Sequence, residues 1–410
     1  MSRPRSTRSS LPLLERLSDL QSGRPTQRAL KVAGLFAGIG GIELGLQRAG
    51  HHSELLCEIE PGAVAVLKHR FGGTPVHEDV CTLRSLPDVD MIAAGFPCQD
   101  LSQAGKTVGI EGSRSGLVGE VFRLLRRKKV PWVLLENVPF MLQLSKGRAM
   151  EVIVASLEKL GYRWAYRVIN SLAFGLPQRR ERVFLLASLE EDPREVLFAD
   201  EVQEPDARAS KRVACGFYWT EGVRGLGWAV DAVPTLKGGS TVGIPSPPAI
   251  LMPDGRLVTP DIRDTERMQG FQSDWTEAAE QVTRRSHRWK LVGNAVTVDV
   301  AEWLGQRLRR PGKPLLRDVR ELPAGAPWPR AAWNVGDGRY ATELSSWPLE
   351  RERVPLHEFL RYPPKPLSVK ATAGFLSRTE TGRLRFPDGF IDRVTAHLQR
   401  MTKAEQRLHA

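Results

Sequence analysis

The chain has 410 residues, 41% hydrophobic and 26% charged, with a formal net charge of +12. Its length exceeds one small core, its composition is that of ordinary globular proteins, and its positive balance points to a polyanionic partner. No apolar run reaches the roughly 18 residues that a membrane span requires. Cys57, Cys81, Cys98 and Cys215 form neither a CxxC pair nor a Cys/His cluster with metal spacing, which argues against a metal site or a disulfide framework and for a reducing compartment.

Residues 1–30 lack apolar periodicity and are rich in arginine and serine. They read as a disordered basic arm, because no uninterrupted apolar core of a secretory signal follows the arginines. From Lys31 onward strands and helices alternate, the pattern of a parallel sheet with crossover helices. Lys31 to Phe36 is the first predicted strand, Ala37 to Gly41 a tight glycine turn, and Ile42 to Ala49 a helix closed by Gly50. Glycines at such a turn let backbone amides approach a ligand at the helix N-terminus. The next strand ends in Glu58, twenty residues after Gly38, where dinucleotide folds keep the carboxylate that accepts from ribose hydroxyls. A third strand end supplies Asp79, an acceptor suited to an exocyclic amine. Together these features point to a nucleoside-containing cofactor, and on their own they leave an NAD-dependent oxidoreductase open.

Met91 to Ala94 is a short buried strand that stops at Gly95, with Cys98 just beyond it. A lone cysteine is ordinarily a small buried hydrophobe, but the carboxyl end of a strand in an open α/β sheet is where ligands bind. The polar segment from Gln99 to Gly116 is long for a connection and reads as a binding loop or lid. A helix over 117–128 and a strand over 131–135 follow, and that strand ends in Glu136 and Asn137. A thiol and a carboxyl group are thus expected at one rim of the sheet. Addition of a thiolate to carbon 6 of cytosine makes carbon 5 nucleophilic, and a carboxyl group at ring N3 offsets the charge that the addition creates. The thiol must ionise to act.

Five motifs now stand in order: Phe36-Ala37-Gly38-Ile39-Gly40-Gly41, Gly95-Phe96-Pro97-Cys98-Gln99, Glu136-Asn137-Val138, Gln178-Arg179-Arg180-Glu181-Arg182 and Gly293-Asn294-Ala295-Val296. In this order and spacing, residues 31 to about 310 resemble the C5-cytosine-specific DNA methyltransferases of bacterial modification systems. The resemblance implies an α/β fold, Rossmann-like and S-adenosylmethionine-dependent, with a mixed, mainly parallel sheet and a smaller irregular target-recognition domain. It implies S-adenosylmethionine as cofactor, S-adenosylhomocysteine as product and no metal. Phe36, Gly38, Gly40, Glu58, Ile59, Asp79, Pro97 and Asn294 would line the cofactor site. Ile59 stands where the family often has a large aromatic. Cys98 would be the nucleophile, Glu136 the N3 partner, and Arg182 with Arg180 the contacts to cytosine O2. Gln99, Ser102, Thr235 and Leu236 would meet the DNA, the last two as the family's short threonine-leucine signature.

The expected organisation is a basic arm (1–30), a catalytic and cofactor-binding domain (31–187), a target-recognition region (188–262), a return to the catalytic domain (263–310) and a C-terminal extension (311–410). The partners implied are double-stranded DNA and a cognate restriction endonuclease, with no membrane, and the setting is a monomer in the bacterial cytoplasm. An RNA (tRNA) cytosine-5 methyltransferase of the same fold is the nearest alternative. An oxidoreductase leaves Cys98 and Glu136 without a task, and a non-catalytic DNA-binding relative is disfavoured because every chemical residue is present.

Overall fold

The computed structural model describes residues 26–97, 116–206, 213–223, 225–238, 247–382 and 384–409. Most of the arm and the segment from Cys98 to residue 115, with Gln99 and Ser102, lie outside them. In chain order the first half comprises β1 (Lys31–Leu35), α1 (Gly41–Arg48), β2 (His52–Cys57), α2 (Pro61–Arg70), β3 (Val76–His77), β4 (Met91–Gly95), α3 (Val118–Arg127), β5 (Trp132–Asn137), α4 (Arg148–Lys159), β6 (Arg163–Asn170), β7 (Gln178–Arg179) and β8 (Glu181–Ser188). β1 pairs in parallel with β2 and β4, β2 with β3, and β4 with β5. β8 then inserts antiparallel between β5 and β6.

The segment 188–262 contributes β9 (Cys215–Phe217), β10 (Ala229–Val230), β11 (Val233–Pro234), β12 (Ala249–Leu251) and β13 (Leu257–Thr259). The chain returns through α5 (Ile262–Arg267), α6 (Arg288–Asn294) and α7 (Val298–Arg309). The residues after 310 divide between the two bodies. β14 (Arg320–Glu321), β15 (Ala331–Asn334) and β16 (Tyr340–Ala341) extend the large sheet beyond β6, whereas β17 (Lys365–Pro366) pairs with β13 at the edge of the smaller sheet. Two further helices, α8 (Val369–Thr381) and α9 (Phe390–His409), complete the chain. Among the described residues the large sheet has ten strands in the order β14-β16-β15-β6-β8-β5-β4-β1-β2-β3, and the smaller sheet has five in the order β10-β9-β12-β13-β17.

Strands covered on both faces read as continuous apolar runs rather than alternations, and Met91, Ile92, Ala93 and Ala94 are accordingly inaccessible to solvent. On one face Ala33, Leu35, Ile92 and Val133 pack with Val121, Leu125, Ile153 and Leu157 of α3 and α4. On the other, Val32, Met91, Ala93 and Leu134 meet Ile42 and Leu46 of α1 and Val300 and Leu304 of α7. The apolar face of α7 is therefore core, packed beside the first strand. α8 and α9 cover the smaller sheet, with Phe217 in ring contact with Phe375 and Phe390 at centroid distances of 5.2 and 5.1 Å. Among the described residues no helix is long and apolar enough to cross a membrane.

Candidate active site

Strand register builds the site. Gly95, the last residue of β4, lies opposite Glu136 of the parallel neighbour β5. The loop that begins at Phe96 therefore leaves the sheet beside the carboxyl group. In the antiparallel pair of β5 and β8, Asn137 lies opposite Val183. One residue further, Arg182 comes beside Val138, on the sheet face that Glu136 shares by two-residue alternation. Its Nε stands 3.1 Å from Glu136 Oε1, with side-chain exposures of 13% and 9%. Arg182 lies on a strand with neighbours on both sides, so a charge on a sheet edge does not explain it. Burial pushes the Glu136 carboxyl group above the usual carboxylate range, while Arg182 and then Arg180 pull it back. A carboxyl group in this balance can hold a proton and part with it.

Asn137 has a task that its sequence motif did not reveal. Its Nδ2 donates to the Phe96 carbonyl at 2.9 Å, and its Oδ1 accepts from the Val138 amide. This ties the end of β5 to the arm that leads through exposed Pro97 towards Cys98.

Arg180, expected with Arg182 against a base, is occupied elsewhere. It is 1% exposed; Nη1 donates to the carbonyls of Leu236 and Gly293 at 3.1 and 3.2 Å, and Nη2 donates to that of Ala295 at 2.6 Å. It pins the recognition segment to the end of α6, a positioning role. Leu236, expected against DNA, is also buried, in the core cluster with Val233, Leu291 and Val292. An apolar side chain preceding a polar turn is better satisfied there than in solvent. Its amide donates to Gln178 Oε1, whose Nε2 donates to Met268 and Gln269 in the segment after α5. Thr235 is half-buried, with Oγ1 donating to the Arg179 carbonyl. Asn294 is exposed at the end of α6 and abuts Gly238, whose Cβ position falls against its Oδ1.

At the glycine turn, Gly38 and Gly40 take φ values of +56° and +84°, the left-handed region that glycine adopts without a Cβ penalty. Half-buried Glu58 organises this turn. Oε2 accepts from the Gly38 amide at 2.8 Å, and Oε1 accepts from the amides of Ile59 and Glu60 at 2.9 Å. A carboxylate offers about four acceptor sites, so three amides leave room for one more donor. The space at the Gly38 Cβ position is open for 4 Å, Ile59 is 69% exposed, and Phe36 is half-buried with φ of +55°. Asp79 Oδ1 accepts from the Cys81 amide. The open space at Gly38 beside a carboxylate of residual acceptor capacity fits a nucleoside ribose.

Beneath the turn lies Glu43, a residue without a part in the sequence motifs. It is 1% exposed and neither carboxyl oxygen has a hydrogen-bond partner. The side chain lies over Gly34 of β1, where any Cβ would overlap Oε1. Burial first, and the charge of Glu58 as well, raise its pKa from 4.5 to about 8. The folded protein thus retains a proton that the unfolded chain loses near pH 4.5, so stability falls as pH rises from about 4.5 to about 8. Glu43→Gln is expected to remove this loss and to be more stable than the parent at pH 8, by on the order of 2–4 kcal/mol. Urea unfolding midpoints at pH 5 and pH 8 check it; a parent advantage at pH 8 would contradict the assignment.

The profile of the C-5 cytosine-specific DNA methylases matches residues 30–219. The type II methyltransferase M2.BsuMI of Bacillus subtilis (strain 168) is 48% identical over 377 residues, 88% of this chain and 97% of that protein. M.NgoBI of Neisseria gonorrhoeae, also a type II methyltransferase, is 30% identical over 298 residues, 66% of this chain and 90% of that protein. Among solved structures, the Dnmt2 methyltransferase of S. pombe superposes with a TM-score of 0.50 at 19% identity, over 68% of this chain and 98% of that one, a likeness of fold. With a relative aligned almost from end to end, and with the parallel strands carrying the family's motifs at one rim, the chain belongs to the C-5 cytosine-specific DNA methylases and is a DNA cytosine-5-methyltransferase of the type II kind.

Proposed function

We propose that the protein methylates carbon 5 of a cytosine extruded from a specific duplex sequence, through a covalent bond between Cys98 and carbon 6. The observation that carries this reading is the register of β4 and β5, which sets Gly95, three residues before Cys98, opposite Glu136. The other cysteines among the described residues suit the role poorly. Burial is the leading cause that raises the thiol pKa of Cys57, to about 12, and those of Cys81 and Cys215.

In the step proposed, the Cys98 sulfur donates an electron pair to carbon 6. The ring double bonds shift, and N3 takes the proton of the Glu136 carboxyl group. Carbon 5 is then enamine-like and accepts the methyl group that bound S-adenosylmethionine supplies. Loss of the carbon 5 proton to water expels the Cys98 thiolate, and N3 returns its proton to Glu136. Arg182 holds the carboxyl group in position and, in this reading, reaches cytosine O2. Phe36, Gly38, Gly40, Glu58, Ile59, Asp79, Pro97 and Asn294 form the proposed cofactor site.

Taking the base out of the stack costs a few kcal/mol, which contacts from Gln99, Ser102 and Thr235 would offset, with Leu236 as their buried anchor. We further propose that the enzyme acts as a monomer in the bacterial cytoplasm and protects sites cut by a cognate endonuclease. Incubation with labelled S-adenosylmethionine and either duplex DNA or tRNA tests the substrate. The expected product is 5-methylcytosine in DNA, and label in tRNA alone would overturn the reading.

A further inference from the structure

Between Glu136 and α4 the chain makes a turn that no motif accounts for. Phe140, four residues beyond Glu136, is 60% exposed. Ser145, Lys146 and Gly147 follow with φ values of +52°, +59° and +84°. Three successive left-handed residues, two of them carrying a Cβ, persist only when their surroundings impose the conformation. Lys146 and Arg148 both project into solvent, and neither side chain is engaged by another described residue.

The surroundings that impose the turn come from the C-terminal extension. Trp328 Nε1 donates to the Gly147 carbonyl at 2.9 Å, and the indole lies so close that a Cβ on Gly147 would be 2.7 Å from its Cδ1. Trp328 in turn packs edge-on against Trp164 and Tyr166 at 6.2 and 6.3 Å, and the Tyr166 hydroxyl donates to the Pro329 carbonyl at 2.8 Å. Arg339, ion-paired with Glu151 and Glu158, closes the wall behind a cleft of about 330 Å³. A support from nearly two hundred residues away thus fixes Gly147, between two cations that are unpaired among the described residues, in the segment that leads from Glu136 through exposed Phe140 into α4.

We propose that Phe140, Lys146 and Arg148 form a contact for the backbone of duplex DNA beside the extruded cytosine, and that residues 322–339 serve to hold that contact in place. The occupant follows from chemistry and place. Two cations without a partner among the described residues suit a repeating anion, an exposed ring suits a sugar or base face, and the segment that bears them follows Glu136 directly in the chain, between β5 and α4. The contact reads no sequence. It rests on DNA being the substrate.

The test is the salt dependence of duplex binding by the full chain. Each phosphate contact contributes a slope of about 0.9 in log Kd against log salt concentration, so Lys146→Ala/Arg148→Ala should flatten the slope by about 1 to 2. The change should be equal for cognate and unrelated duplexes, with S-adenosylmethionine binding unaltered. Lys146→Arg/Arg148→Lys should keep the parent slope, and Trp328→Leu should fall between the two. An unchanged slope in the alanine variant, or a flattened one in the charge-preserving variant, would overturn the proposal. Failure of the parent itself to bind any duplex would instead overturn the DNA reading.

Discussion

Glu136→Gln is expected to lower methyl transfer by about 10²- to 10⁴-fold, the usual contribution of a positioned acid or base, while DNA and cofactor binding persist. The expectation follows from the strand pair that carries it. Glu136 is buried at the end of β5 with Arg182 Nε at 3.1 Å, and burial outweighs the two arginines in setting its pKa. The raised pKa gives the sign of the pH effect. The protonated donor is lost as pH rises through that value, so the parent should slow on the alkaline side. An amide in place of the carboxyl group does not titrate, and the residual activity of the variant should lack this limb. Single-turnover rates followed from acid to alkaline pH measure both effects. A variant that kept the parent rate and profile would remove Glu136 from the mechanism.

Arg182→Ala should cost stability as well as activity. Removing the arginine leaves Glu136 buried without its nearer cation, at a cost that grows towards about 3–5 kcal/mol as pH rises and the carboxyl group ionises. Glu136 would then be pushed higher still, since Arg182 is the larger of the two effects that lower it. The double variant Arg182→Ala/Glu136→Gln should recover part of the loss, because the uncompensated carboxylate is gone. Denaturant midpoints of the parent, both single variants and the double variant measure the coupling. Simple additivity would show that the pair is not coupled in the fold.

The parallel half of the molecule was legible because its signals are local. Glycine turns, apolar runs and strand-end acids each occupy a few adjacent residues, and β1 to β5 lie where the alternation predicts. The antiparallel half was not, because its cause is tertiary. Nothing within Arg180-Glu181-Arg182 distinguishes an arginine bonded to three carbonyls from one paired with Glu136; only the approach of Leu236, Gly293 and Ala295 decides it. The burial of Leu236 was hidden for the same reason, because it depends on α6. Glu43 is hidden by its position on the inner face of a short helix, where periodicity leads one to expect an apolar residue. β14, β16 and β17 are two residues long, too short to carry any period.

The bond from Cys98 to cytosine is the step on which the mechanism depends. A duplex bearing 5-fluorocytosine at the target position carries no proton at carbon 5 to lose, so methyl transfer should leave the enzyme attached. With S-adenosylmethionine present, intact mass spectrometry should find the protein heavier by one oligonucleotide and one methyl group, and Cys98→Ser should give no such species. The same adduct on the Cys98→Ser variant, or methylation of ordinary cytosine by that variant at the parent rate, would contradict the account.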